Sequence, residues 1–454
     1  MFARKKREVD MLSGPITRGL LTISIPIMLM NVLQSLFNVI DLTILKSYDA
    51  GGGSAVGAVG ACGTLITVIS SLVIGAASGS NVAIAKTIGS HDEEGVRRGV
   101  RSAMAIAVSG GVFISIIGIV FARAFLLMIN CPPELLSEAS LYFRLYFAGV
   151  PILMVYNFCA AIMRSTGDSR RPMIFLTAGG IVKVLLNYLF IAKFQMGVAG
   201  VASATIVSWF VSAALGLYSL VFGDSIVRFR PKEIRFFGAE VKEILRIGVP
   251  VGLEQALYSV ANLIITATVN SFGAKAATGI AIANNFDSIM YQISTATALA
   301  VMPYVSQNVG NRNLKRAVQA VRRGILVTIV LGGGFGALSA IFAPQLSSIM
   351  SSDPEVIAFS CQKMVLISST YFICGIKGIL ESALRGMGRP LPPTVCTLIY
   401  MCLLRFVWVF LIFPLCPNMT FLYLVWPVGW ILSIITILFF YFPTVGKLKK
   451  QFAS

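Results

Sequence analysis

The sequence predicts an all-α polytopic membrane protein: twelve transmembrane helices in two six-helix bundles related by a pseudo-twofold axis along the membrane normal. Three observations lead there. Of 454 residues, 56% are hydrophobic and only 12% charged, with a mean hydropathy of +0.83, whereas soluble chains carry about a quarter of their residues as charges. Apolar runs of about 20 residues, enough to cross a bilayer, recur from end to end. Finally, the first half of the chain returns in the second. Ser24-Ile25-Pro26, Ser35 and Asn38 lie 224 positions before Gly248-Val249-Pro250, Ser259 and Asn262. Gly89, Arg101, Arg164 and Gly167 lie 221 positions before Gly310, Arg322, Arg385 and Gly388, the difference falling at the extra glycines 51–53.

The predicted spans cover residues 20–45, 55–85, 99–128, 138–163, 173–193 and 198–221 in the first copy. In the second they cover 245–270, 276–306, 321–349, 357–384, 392–415 and 420–443. Six spans return the chain to its starting side, so both copies share one orientation. The expected division is an N-terminal lobe at 1–222, a cytoplasmic linker at 223–243 and a C-terminal lobe at 244–454. The linker is basic and faintly amphipathic; it either lies on the anionic inner leaflet or is simply solvated.

The net charge of +18 is a topology signal. Of 37 Lys and Arg, 28 fall in the termini and even-numbered connections, about four on the opposite face and five inside spans. Basic loops stay in the cytoplasm, so both termini are expected there, with a lipid bilayer and no nucleic acid as the partner. Arg4-Lys5-Lys6-Arg7 is followed by mixed polar sequence and does not read as a cleavable signal peptide. Eight cysteines show no metal spacing, and the single His91 sits in a polar turn. No catalytic triad, metal centre or cofactor is therefore expected, and the chain does not read as an enzyme. Within the spans, Gly75-x-x-x-Gly79, Gly110-Gly111 and Gly332-Gly333-Gly334 let helices approach closely.

Ionisable groups in the hydrocarbon cost about 2.5–3.5 kcal/mol each and mark pathways. Asp41, Glu254, Asp287 and Glu381 qualify. Asp41 stands out, because Gln34, Asn38 and Asp41 recur at i, i+4, i+7 on one face of span one. Its echo in the second copy is Ile265, so only one lobe carries the carboxylate. A position at the outer membrane edge, near Lys46, is the competing placement. Pro26 in the same span removes a backbone hydrogen bond and is a hinge candidate, or only an architectural kink, since Pro250 repeats it. Asn187 in span five is read as a partner of Asp41 or of a bound cation, or as a bridge between helices. Asn157, Thr205 and Glu254 are further cavity candidates. Lys377 and Glu381, at i, i+4, read as a neutralising pair. The buried bases Arg144, Lys183, Lys363 and Arg405 have no assigned role.

VLQSLFNVID at 32–41, with Pro26 upstream, resembles the opening of the multidrug and toxic compound extrusion family. SAVGAVG (54–60), AAIMRSTGDSRRP (160–172), GVAGVASATIVS (197–208), the echo ESALRGMGRP (381–390) and LVWPVGWILS (424–433) follow in the family's order. The resemblance runs from about Gly14 to Val445. It implies a monomeric antiporter in a plasma membrane, a bacterial inner membrane by this likeness. Such a protein exports small amphipathic, often cationic, compounds in exchange for protons or sodium by alternating access. Asp41 matches the family's first-helix carboxylate, which binds the coupling ion, and Asn187 its fifth-helix asparagine. Where some members carry a further aspartate this chain has Ile191, which removes an oxygen ligand from a sodium site at Asp41 and Asn187 and favours protons. Glu254 falls where some members place a seventh-helix acid. A lipid-linked oligosaccharide flippase of the same superfamily is the alternative; its basic cavity would draw on Arg144, Lys183 and Arg405.

Overall fold

The computed structural model describes residues 8–48, 54–129 and 131–453, without the side chains of Asn38, Leu42, Lys46, Ser54, Ala55, Val56 and Thr64. Among these residues every regular element is helical. The first copy comprises α1 (Ile16–Tyr48), α2 (Ser54–Gly89), α3 (Glu93–Met128), α4 (Leu136–Ser165), α5 (Arg170–Asn187) and α6 (Gly197–Phe222). The second comprises α7 (Gly238–Asn270), α8 (Ala274–Gly310), α9 (Leu314–Ile341), α10 (Ala343–Ser348), α11 (Pro354–Ser368), α12 (Tyr371–Gly386), α13 (Leu391–Thr397), α14 (Leu404–Val407), α15 (Met419–Tyr423) and α16 (Val425–Ala453).

Ten helical stretches are long and apolar enough to span a membrane, and the bent pair α11–α12 makes eleven. The eighth predicted span, α8, is 37 residues long but falls short of that apolarity. It carries Asn284, Asn285, Asp287 and Gln292 in its first half. Two other expectations need correction. The span expected at 321–349 ends as a helix at Ile341 and restarts as α10, because Pro344 cannot continue the hydrogen-bond ladder. The span expected at 357–384 is two helices meeting at 42°. At that break Ser369 and Thr370 donate to the carbonyls of Val365 (2.6 Å) and Leu366 (2.9 Å), back-bonding that competes with the ladder and bends helices.

The duplication survives in local detail. Asp92 caps α3 by accepting from the Gly95 amide, and 221 positions later Asn313 caps α9 by accepting from the Arg316 amide. The residues just before these caps, His91 and Arg312, take the left-handed backbone at φ 59° and 55°. Gly167 and Gly388, at φ 88° and 78°, end the turns after α4 and α12, where a side chain would be strained. π-helical turns follow Asn187 (Tyr188–Lys193) and recur at Trp408–Ile412 in the second copy.

The chain divides into two compact units, with boundaries that differ from the 1–222, 223–243 and 244–454 division expected. Unit 1 comprises residues 1–8, 29–88 and 92–248; unit 2 comprises 9–28, 89–91 and 249–454. The start of α1 falls in unit 2 because Met11, Leu20, Ile23 and Ile27 are buried in one cluster with Val301, Tyr304 and Leu384. Asn308 and Arg316 also donate to the Met11 carbonyl, at 3.1 and 2.9 Å. The linker belongs to unit 1, where Glu233, Glu240 and Glu243 pair with Arg101 (2.6 Å), Arg98 (2.8 Å) and Lys86 (2.8 Å). The changes of unit inside α1 and α7 each fall within two residues of a helical proline, Pro26 and Pro250 respectively.

Candidate functional site

The site in unit 1 is built where α5 lies between α1 and α6. Two glycines fit it there. A Cβ on Gly179 would lie 2.6 Å from the Ser208 carbonyl oxygen of α6, and one on Gly180 would lie 2.0 Å from the Phe37 ring of α1. One and two turns further along α5 come Lys183 and Asn187, at i, i+4 and so on one face. Both reach Asp41. The Asn187 side-chain amide donates to Asp41 Oδ1 at 2.5 Å, and the Lys183 ammonium forms an ion pair with Oδ2. Asp41 is 6% exposed and Asn187 fully buried.

Both carboxylate oxygens thus have a donor, one of them cationic. The Asn187 carbonyl oxygen is buried with no hydrogen-bond partner among the described residues, a free acceptor beside the pair. An unpaired buried acceptor is costly unless something donates to it. The arrangement suits exchange of one cation for another at a single carboxylate.

The other sequence candidates are placed as follows. Gln34 is exposed on α1, and Asp41 draws neither of its two bonds from it. The side chain of Asn38 lies outside the described residues. Asn157 and Thr205 donate within their own helices, to Leu153 (2.9 Å) and Val201 (2.8 Å), and are not partners of Asp41. Pro26 is buried within a continuous α1. Sequence reasoning had left Lys183 without a role; its i, i+4 relation to Asn187 was the available signal.

Glu254 belongs to unit 2. It receives Arg385 at 2.7 Å and Thr394 at 3.3 Å. Lys377 and Glu381 form the pair their spacing implied, at 2.7 Å, with Thr397 donating to Glu381 at 2.9 Å. Two acids and two bases are thereby matched in one buried network. Asp287 pairs with Lys363 at 2.8 Å. All eight cysteines are free.

Comparison with known proteins agrees with this architecture. The MatE family model matches residues 26–189 and again 250–411, with the two matches displaced by the offset seen in the sequence. The chain is 28% identical over 388 residues to the probable multidrug resistance protein NorM of Thermotoga maritima, covering 85% of this chain and 83% of that one. It is 26% identical over 400 residues to the probable multidrug resistance protein YpnP of Bacillus subtilis, covering 88% and 89%. The crystal structure of a MATE protein in the straight conformation superposes with a TM-score of 0.90 at 21% identity, covering 98% of this chain and all of that one. The chain belongs to the multidrug and toxic compound extrusion family.

Proposed function

We propose that the protein is a secondary active multidrug exporter, and that it exchanges amphipathic organic compounds for protons at Asp41. The observation that carries the ion assignment is the ion pair between Asp41 and Lys183. A tethered ammonium already supplies Asp41 with a cation, and the Ile191 side chain offers no oxygen ligand. The names borne by the relatives, multidrug resistance proteins, support the cargo class.

The mechanism follows from charge compensation. A buried carboxylate is expensive without a counter-charge, and breaking such a pair costs about 3–5 kcal/mol. Three cations compete for Asp41: the Lys183 ammonium, an entering proton and a cationic cargo. When a proton takes Asp41 from the outer side, the carboxylate loses its charge and its hold on a bound cation. Loss of that proton to the cytoplasm restores the charge, and Lys183 compensates it when no cargo is bound. Pro26, next to the point where α1 passes between units, supplies the bend that this cycle needs. A proton entering gains about 2.3 kcal/mol per 100 mV and about 1.4 kcal/mol per pH unit. A one-for-one exchange with a monovalent cation cancels the electrical part and leaves only the pH part.

Of the three bases behind the flippase alternative, Lys183 is bound to Asp41 and Arg144 is exposed. The test is Asp41→Asn in cells loaded with ethidium or norfloxacin. Efflux is expected to vanish at unchanged expression, and unchanged efflux would remove Asp41 from the mechanism.

A further inference from the structure

Unit 2 contains a cavity of about 330 Å³ lined by residues of α7, α8, α11, α12, α15 and α16. Among them are Asn262 and Ile265, the echoes of Asn38 and Asp41. The second copy therefore has an open space where the first has its carboxylate. Leu404 stands 221 positions after Lys183, and the next residue is Arg405.

Arg405 is 1% exposed. Its Nη1 donates to Asn262 Oδ1 at 2.8 Å, and its guanidinium lies over the rings of Tyr258 and Trp426 at 4.5 and 5.6 Å. All three of these residues line the cavity, and Arg405, which touches them, is not itself among the lining residues. Its Nη2 has no hydrogen-bond acceptor, and no carboxylate pairs with it among the described residues. The neighbouring charges offer no compensation. Lys363 on the cavity wall is taken by Asp287 and Asn284, and Glu254 and Glu381 are matched by Arg385 and Lys377. The interior of unit 2 thus carries one positive charge in excess, held against an aromatic wall. Such a charge is stabilised by any ligand that brings an anion within reach. Aromatic faces at the same wall favour a flat apolar body, and a guanidinium favours a planar carboxylate.

We infer that this cavity binds organic anions, a carboxylate carried on a flat aromatic body. The inference adds a cargo class to the transport reading and rests on it only in treating the occupant as cargo; binding itself is measured without transport.

The test is calorimetric titration of the purified full-length protein in a nonionic detergent with two probes of matched shape and opposite charge, 2-naphthoate and (2-naphthyl)methylammonium. Naphthoate is expected to bind at least tenfold more tightly. Arg405→Gln should weaken naphthoate at least tenfold and shift the ammonium probe less than twofold, while Arg405→Lys recovers most of the naphthoate affinity. The inference is overturned by an ammonium probe that binds as tightly, by absent naphthoate binding, or by equal losses for both probes in Arg405→Gln, the mark of a purely structural arginine. Displacement of naphthoate by equimolar inorganic phosphate would overturn the aromatic class. Should Arg405→Gln not fold, Asn262→Asp sets a carboxylate against the guanidinium and is expected to abolish naphthoate binding; unchanged affinity there refutes the inference.

Discussion

Removing Lys183 isolates the physics of the site. In Lys183→Met the carboxylate of Asp41 keeps the Asn187 amide but loses its only ion-pair partner among the described residues, at side-chain exposures of 8% for Asp41 and 14% for Lys183. Two unit charges about 3 Å apart attract by about 5.5 kcal/mol at an effective dielectric of about 20. Breaking one side of a buried pair costs about 3–5 kcal/mol in measured cases. Unit 1 has about 225 residues, and an unfolding entropy of about 2.1 cal/mol/K per residue makes 1 kcal/mol worth about 2 °C. The single substitution should therefore lower the apparent melting temperature in detergent at pH 8 by about 6–11 °C. Asp41→Asn, which strands the ammonium, should also destabilise. The double variant Lys183→Met/Asp41→Asn should return to within about 2 °C of the parent, since replacing a buried pair by neutral groups is near neutral. Additive losses in the double variant, or single losses under about 2 °C, would refute the pairing on which the mechanism stands.

Three further outcomes are expected. Gly179→Ala drives a methyl against the Ser208 carbonyl and displaces the helix carrying Lys183 and Asn187. It should cost about 1–3 kcal/mol and reduce efflux at equal expression, as followed by thermal unfolding and ethidium retention. Glu254→Gln should destabilise unit 2 by leaving Arg385 without its closest partner, and Glu254→Gln/Arg385→Met should recover most of the loss in the same melting assay. Reporter fusions at Ser454 should show activity only for a cytoplasmic enzyme, and an active periplasmic reporter there would reverse the assigned orientation.

Much of this architecture is legible in the sequence because a bilayer imposes long apolar segments and a duplicated gene writes its fold twice. The turns at Gly167 and Gly388 follow from a glycine repeated at a fixed offset. Breaks inside spans were hidden. Pro344 is one residue in a long apolar run, and the bend at Ser369-Thr370 arises from hydroxyls that also occur harmlessly in straight helices. At the site, periodicity put Gln34, Asn38 and Asp41 on one face, but a period says nothing of where the facing helix lies. Asp41 meets α5 while Gln34 is exposed. The Lys183–Asp41 pair joins residues 142 positions apart, a contact decided by how Gly180 admits Phe37. The allotment of residues 9–28 to unit 2 is likewise set by packing on Val301 and Tyr304, which no local pattern records.

The central claim is that one carboxylate in unit 1, compensated by its own lysine, takes up a proton as cargo leaves. Reconstituted vesicles with an imposed pH gradient in sodium-free buffer, or an imposed sodium gradient at equal pH, test it directly. The pH gradient should drive ethidium export in the parent protein and not in Asp41→Asn, and the sodium gradient should drive none. Export powered by sodium alone, or by a pH gradient in Asp41→Asn, would contradict it.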